Sequence, residues 1–178
     1  AYTIKELASY SFLLEHFYIV DETTSMTKQD LNGTKLVTMD LSAKLGKEEP
    51  LVLIYHTHGS ETYKKVNGKE GSVIEVGTAL TKELENVYGI KTVHDKSVYD
   101  MVDGQLDRNA AYNFAGDSVE AALRKNPSVK VVIDLHRDSV ENNIHLRTKI
   151  NGKSAAQIMF FNGVSRLASK GDIGYLYN

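Results

Sequence analysis

The fold is decided by a short apolar run, Leu51-Val52-Leu53-Ile54-Tyr55, which directly follows Pro50. An unbroken apolar run of this length is typical of a strand that is buried on both faces of a parallel sheet. A similar run at residues 129–135 predicts a further buried strand. We therefore expect the two runs to be strands of one parallel sheet.

The region between these runs shows alternating helices and strands. Apolar residues at helical spacing predict a helix over residues 72–88, with Gly89 at its carboxyl end. Residues 90–94 predict a middle strand, and residues 108–125 predict a second helix that ends before Pro127. Strand, helix, strand, helix, strand is the order of βαβ units. The sequence therefore predicts a three-layer α/β fold, with a mostly parallel central sheet and helices on both of its faces.

The segment after the last predicted strand indicates a different kind of pairing. Residues 144–150 and 155–161 are separated by Asn151-Gly152, which predicts an antiparallel hairpin with a type I′ turn. A strand-like pattern then runs over residues 173–178 with no helix after it. We expect the domain to be truncated at its carboxyl end.

Length and composition limit the class of protein. The 178 residues predict an N-terminal extension or linker at residues 1–48 and one catalytic domain at residues 49–178. A formal net charge of −2 lacks the basic surplus of nucleic-acid-binding proteins, so we expect no nucleic acid as partner. The absence of cysteine excludes disulfides, thiolate zinc ligands and cysteine nucleophiles. No apolar run approaches the ~18 residues of a membrane-spanning helix, so we expect no such helix in this chain.

Two short histidine motifs follow predicted strands directly. They are His56-Thr57-His58-Gly59-Ser60-Glu61, after the first strand, and Asp134-Leu135-His136-Arg137-Asp138, at the end of the third. In open α/β sheets, ligands bind at the carboxyl ends of the strands. Because both motifs lie at that edge, we expect their side chains to converge.

The residue types in these motifs indicate a metal site. His56 and His58 are two residues apart, so an extended chain points both side chains to the same side. Glu61 follows His58 at the spacing of one helical turn, and His136 adds a nitrogen from across the sheet edge. Two imidazoles and one carboxylate, with an open position for water, are the pattern of a catalytic zinc site. Such a site generates a hydroxide-like nucleophile near neutral pH.

Neighbouring side chains leave alternatives open. Asp134 or Asp138 is expected to accept the second ring proton of a histidine ligand. A single histidine at a strand end is more often a hydrogen-bonded structural residue, but two such motifs at one edge favour the metal site. Ser60 as a nucleophile is disfavoured, because the chain has no Gly-x-Ser-x-Gly elbow.

The motifs and their flanks resemble one known family. The matching stretches are Ile54-Tyr55-His56-Thr57-His58, Ser60-Glu61, Tyr63, Val132-Ile133-Asp134-Leu135-His136-Arg137-Asp138, Phe17-Tyr18-Ile19-Val20-Asp21 and Lys149-Ile150-Asn151-Gly152-Lys153. They resemble the stage II sporulation protein P family of endospore-forming bacteria, over nearly the whole chain. That family is related to zinc-dependent N-acetylmuramoyl-L-alanine amidases. The resemblance therefore implies a zinc amidase-like fold, Zn²⁺ as cofactor, and cleavage of the amide between N-acetylmuramic acid and the L-alanine of the stem peptide.

The resemblance also implies a biological setting. Peptidoglycan is the implied substrate, during engulfment in sporulation, and endopeptidase activity on peptide cross-links is also attributed to the family. The implied location is extracytoplasmic, at the septum between mother cell and forespore, where the full-length protein is membrane-anchored. Stage II sporulation proteins D and M are the implied partners.

Carried over by position, the resemblance assigns His58 and His136 as metal ligands. Glu61 and Glu75 compete for the carboxylate ligand, and His56 is an alternate for the histidine. We favour Glu61 because it belongs to the motif itself, whereas Glu75 is otherwise a surface charge of the first helix. The wider amidase superfamily also uses a catalytic glutamate near its C-terminus. This chain ends before such a position, so the fragment is expected to lack that base and to be inactive.

Glu61 and Arg137 are the predicted catalytic residues. The Arg137 guanidinium is expected to pair with a stem-peptide carboxylate, or else only to neutralise Asp134 or Asp138. Two further functions stay open: a metallohydrolase of another amide substrate, and a non-catalytic peptidoglycan-binding module. The missing glutamate favours the binding module for this fragment.

Overall fold

The computed structural model of this chain describes residues 1–43, 48–64, 68–141 and 143–161, together with the strands at Arg166–Leu167 and Gly171–Asp172. Contacts between Cα atoms divide the chain into two units, one of Ala43–Ile144 and the other of Ala1–Ser42 with His145–Asn178. The division into an extension at residues 1–48 and a domain at residues 49–178 stays a prediction.

The elements are numbered in chain order. The helices are α1 (Ile4–Leu7), α2 (Tyr10–Phe17), α3 (Gly33–Thr38), α4 (Val73–Asn86) and α5 (Arg108–Lys125). The strands are β1 (Val52–Tyr55), β2 (Thr92–His94), β3 (Met101–Val102), β4 (Gln105–Leu106), β5 (Val131–Asp134), β6 (Arg147–Ile150), β7 (Lys153–Ala156), β8 (Arg166–Leu167) and β9 (Gly171–Asp172). Among the described residues, no helix has both the length and the apolar character needed to cross a membrane.

A parallel sheet of order β2-β1-β5 forms the centre of the unit at Ala43–Ile144. The central strand β1 is buried along most of its length, as its apolar run predicts. β5 is not: the side chains of Val131 and Val132 are 46% and 43% exposed. The prediction of a buried third strand was wrong, because β5 has a neighbouring strand on one side only within the described residues. An apolar run does not distinguish an edge strand from a central one.

Helices cover both faces of this sheet. α4 packs on β1 and β2, and a Cβ added at Gly77 of α4 would lie 2.6 Å from Nε2 of His94 at the end of β2. His94 pairs in register with Ile54 of β1, so the next residue, Tyr55, points to the opposite face. There Tyr55 packs against a buried cluster that contains Ala111 and Ala115 of α5. The predicted α/β class and its parallel βαβ core are confirmed.

The helix ends follow the local sequence. Ser72 and Glu75 form a capping box at the start of α4, and the side chain of Asp107 accepts two backbone N–H groups at the start of α5. α5 ends at Lys125, with Asn126 as its C-cap immediately before Pro127, as predicted.

A small hairpin, β3–β4, lies between the predicted middle strand and the second predicted helix, where no strand was predicted. Its turn is Asp103-Gly104, and both residues have positive φ, 49° and 77°. Asp-Gly between apolar residues is a known type I′ turn signal, so this element was predictable in principle.

The unit of Ala1–Ser42 with His145–Asn178 contains α1–α3 and the hairpin β6–β7. Ile150 pairs with Lys153, which leaves Asn151-Gly152 as a two-residue turn with φ of 51° and 77°. The predicted antiparallel hairpin and its type I′ turn are confirmed, but its second strand spans Lys153–Ala156 and not residues 155–161. The predicted strand pattern at residues 173–178 lies outside the described residues.

Candidate functional site

The two histidine motifs meet at the carboxyl edge of the sheet, where β1 and β5 end side by side. Tyr55 pairs with Asp134 in register, so the residues that follow each strand are neighbours. The backbone N–H of Thr57 donates to Asp134 Oδ1 at 2.9 Å, and the Thr57 hydroxyl donates to Oδ2 at 2.6 Å. Asp134 therefore ties the loop after β1 to the end of β5.

Asp134 also orients His136. His136 Nε2 lies 2.9 Å from Asp134 Oδ2, and this hydrogen bond raises the pKa of His136, although burial acts in the opposite direction. Burial alone would raise the pKa of Asp134, but the hydrogen bonds from His136 and Thr57 outweigh it and lower that pKa. The predicted supporting role of Asp134 is consistent with this contact. The other ring nitrogen of His136, Nδ1, lies 3.7 Å from Glu61 Oε2.

Glu61 is a nearly buried carboxylate with partners on both oxygens. Its side chain is 7% exposed. The Arg108 guanidinium donates to Oε1 at 3.2 Å, and the backbone N–H of Arg137 donates to Oε2 at 3.2 Å. A buried charge needs such partners to offset the loss of water. Arg108, at the start of α5, is the partner that carries the opposite charge.

His58 lies beside His136 in the same cluster. The ring centroids of the two histidines are 5.2 Å apart in a T-shaped arrangement, and the His58 ring also meets Tyr112 edge-on at 5.3 Å. Nδ1 of His58 is buried and has no hydrogen-bond partner among the described residues. The structure therefore brings together His58, Glu61 and His136.

His56 belongs to a separate contact. Its ring is fully buried, with Nδ1 2.9 Å from the carbonyl oxygen of Leu135 and Nε2 2.9 Å from Nε2 of His94. Burial lowers the pKa of both histidines; the pKa of His94 falls to about 4, with His56 as the second cause. The chain turns at Thr57 and is not extended there, so the expectation that His56 and His58 share one side through an extended chain was wrong.

The remaining predicted residues have local partners. The Glu75 carboxylate accepts the backbone N–H of Ser72 at 2.9 Å, as half of the capping box of α4. The exposed Asp138 accepts the backbone N–H of Ser139 at 2.7 Å, and no contact with a histidine is seen in the described part of the chain. Arg137 Nη1 donates to the carbonyl oxygen of Asp138 at 3.3 Å, and its Nε is buried without a partner among the described residues.

The side chains at this edge are of the types that bind metals, but in the described residues they are not arranged as a metal site. No group of three or more histidine or acidic side chains in the described ranges is arranged to hold a metal ion. His58, Glu61 and His136 nevertheless supply two imidazoles and a carboxylate, the donor types of a catalytic zinc site. The buried, unpartnered Nδ1 of His58 shows that this cluster is not fully satisfied by protein groups alone.

Three residues of the site were missed by the sequence analysis. His94 ends β2 at the same sheet edge, so the strand-end rule applied to the middle strand would have found it. Arg108 is the first residue of α5, the helix that follows the loops at that edge. This position is a weaker signal than a strand end. Asp100 lies in the loop after β2 and has no local signal at all.

Comparisons with known proteins agree with the motifs. The family model for stage II sporulation protein P matches residues 5–170. Stage II sporulation protein P of Bacillus subtilis (strain 168) is 28% identical in an alignment of 127 positions that covers 65% of this chain and 31% of that protein. The chain thus spans about a third of the length of this curated relative. No solved structure matches the chain.

Proposed function

Because this chain belongs to the stage II sporulation protein P family, a family of sporulation proteins, we propose that it is a zinc-dependent peptidoglycan hydrolase. In this proposal it cleaves the amide between N-acetylmuramic acid and the L-alanine of the stem peptide, during engulfment. The fold is then a zinc amidase-like variant of the α/β class.

The observation that carries the proposal is the convergence of His58, Glu61 and His136. These side chains come from two loops far apart in sequence. His136 Nδ1 lies 3.7 Å from Glu61 Oε2, and the ring centroids of His58 and His136 are 5.2 Å apart. Their position outside the carboxyl ends of parallel strands is where α/β folds bind ligands.

Each residue has a defined task in this proposal. His58, Glu61 and His136 hold the zinc ion, which supplies a nucleophilic water near neutral pH and polarises the scissile carbonyl. Asp134 accepts a hydrogen bond from Nε2–H of His136. The lone pair of that ring is then on Nδ1, the nitrogen that lies toward Glu61. Arg108 offsets the charge of Glu61 in the metal-free protein.

Arg137 is the proposed contact for the substrate. Within the described residues, its guanidinium pairs with neither Asp134 nor Asp138, and its Nε is buried without a partner. A guanidinium with unused donors is suited to a carboxylate, which it binds in a two-pronged geometry. We infer that Arg137 binds a carboxylate of the stem peptide.

The setting of the whole protein is part of the same proposal. Peptidoglycan is the partner of the site, and stage II sporulation proteins D and M are the proposed protein partners. The proposed location is the septum between mother cell and forespore, outside the cytoplasm, with membrane attachment through a segment outside this chain.

Metal content of this chain and peptidoglycan products of the full-length protein test the function. The zinc-loaded and dialysed chain is expected to retain about one zinc ion, and the full-length protein is expected to release stem peptides that begin with L-alanine. His136→Ala should lose the metal and stay folded, because His136 follows the end of β5 and its side chain is 31% exposed. His145→Ala, at an exposed histidine in the other unit, is the matched control and should keep its zinc.

A non-catalytic wall-binding module is the second candidate. It is favoured by one observation, the lack of a preformed metal-binding group among the described residues. If the protein binds peptidoglycan without zinc and leaves the muramoyl–alanine amides intact, the hydrolase proposal is wrong. The binding module is then the function that remains.

A further inference from the structure

Asp100 is a fully buried carboxylate to which neither the sequence motifs nor the proposed zinc ligands assign a task. Its Oδ1 accepts the backbone N–H of Ser60 at 3.1 Å, and its Oδ2 accepts the Ser60 hydroxyl at 2.5 Å. An ionised carboxylate has about four acceptor sites, so two hydrogen bonds leave it with unused capacity. A charge buried this deeply usually has a further hydrogen-bonding partner.

The matching group is the ring of His58. Its Nδ1 is buried without a hydrogen-bond partner among the described residues, and Asp100 Oδ2 lies 3.9 Å from it. That distance is about 1 Å longer than a charge-assisted N–H···O bond. The unused acceptor and the unpartnered ring nitrogen therefore lie within about 1 Å of hydrogen-bonding distance.

The surrounding backbone holds Asp100 in this position. The carbonyl oxygen of Asp100 accepts the backbone N–H of Asp107 at 2.9 Å. Asp107 in turn caps α5 by accepting the backbone N–H of Asn109 and of Ala110. Asp100 thus connects the start of α5 to the loop that carries His58.

We propose that Asp100 is a positioning residue for His58, an inference that rests on the proposed zinc site. Asp100 accepts a hydrogen bond from Nδ1–H, which leaves the lone pair on Nε2, the nitrogen then available to the metal. His136 is held in the opposite tautomer, because Asp134 accepts a hydrogen bond from its Nε2–H and leaves the lone pair on Nδ1. The two histidines are therefore fixed by separate carboxylates in complementary tautomers.

The tautomer of His58 is measured directly in the metal-free chain by two-bond ¹H–¹⁵N spectra of the imidazoles. The spectra are recorded about two units above the ordinary histidine pKa of ~6.5, and the signal is assigned by comparison with His58→Gln. We expect the Nδ1–H tautomer in the parent chain. In Asp100→Asn the carboxamide oxygen still accepts the Ser60 N–H, while its NH₂ group donates toward His58 Nδ1, so we expect the Nε2–H tautomer.

The matched control is Ser60→Ala, which removes one hydrogen bond of Asp100 and leaves its carboxylate in place. This variant should keep the Nδ1–H tautomer. Zinc affinity should fall about 10- to 100-fold in Asp100→Asn and much less in Ser60→Ala.

The Nε2–H tautomer in the parent chain would overturn the proposal, even if Asp100→Asn does not fold. An equal shift of tautomer in Ser60→Ala would also overturn it, because Asp100 would then act only by holding the loop. A chain with the expected tautomers that binds no zinc would leave the positioning of His58 standing and would remove the proposed zinc function.

Discussion

Glu61 is the residue on which most of the candidate site depends, because it contacts both loops and α5. Arg108 and the backbone N–H of Arg137 hold its two oxygens, and His136 lies 3.7 Å away. Glu75, the alternative from the family resemblance, is instead committed to the start of α4 through its bond to the Ser72 N–H. The two glutamates therefore differ in what their carboxylates can reach.

Replacing each glutamate by glutamine separates these roles. Glu61→Gln is expected to weaken zinc binding at least about tenfold, because the amide is a poor ligand and loses the charge. Glu75→Gln should leave zinc binding unchanged and alter the free energy of unfolding by only a few tenths of a kcal/mol, since glutamine also closes a capping box. Zinc titration and urea denaturation measure the two effects. If Glu75→Gln loses zinc and Glu61→Gln does not, the carboxylate ligand is Glu75 of α4 and not Glu61.

At the scale of elements, the closest packing is between α4 and the ends of β1 and β2. Gly77 of α4 lies over the His56–His94 pair with no room for a side chain. This contact allows the helix to cover the buried imidazole of His56 and the partly buried imidazole of His94, whose Nε2 atoms are 2.9 Å apart.

Gly77→Ala is expected to destabilise the protein by about 1–3 kcal/mol. The new Cβ would lie 2.6 Å from His94 Nε2 and 2.7 Å from His56 Nε2, so α4 or the rings must move. Gly116→Ala in α5 is the matched control, because nothing lies within 4 Å of its added Cβ. There alanine should stabilise by about 1 kcal/mol through helix propensity. Equal changes in the free energy of unfolding by urea denaturation would contradict the steric explanation.

At the scale of the whole molecule, the His56–His94 pair makes folding stability depend on pH. Burial, and then the neighbouring His56, lower the pKa of His94 to about 4 in the folded protein. In the unfolded chain a histidine titrates near ~6.5, so between these values the unfolded state binds more protons. The contribution of His94 is therefore present above about pH 6.5 and is lost as the pH falls toward about 4.

We expect the free energy of unfolding to decrease as the pH is lowered through this window, and His94→Gln to flatten that decrease. Glutamine keeps a hydrogen-bonding side chain next to His56 and does not titrate. His136 acts with the opposite sign, since its raised pKa contributes stability that is lost as the pH rises. Urea denaturation at several pH values, with His136 unchanged in both chains, measures the difference. Parallel curves for the two chains would show that His94 does not cause the effect.

Local patterns in the sequence were sufficient for the elements that build the core. The apolar run of β1, the bounds of α5 and the turn at Asn151-Gly152 follow from periodicity, caps and turn residues, which act over a few neighbouring residues. The exposure of β5 did not follow, because it depends on which strands and helices lie beside it.

The site divides in the same way. The sequence by itself determined that the two histidine motifs end parallel strands, and hence that His58 and His136 lie at one edge of the sheet. Only the tertiary structure decided which carboxylate serves which ring: Asp134 contacts His136, and Asp100 lies beside His58. The physical reason is that a side chain's partners are set by the register of distant strands and the course of the loops between them, and neither leaves a periodic pattern in the sequence.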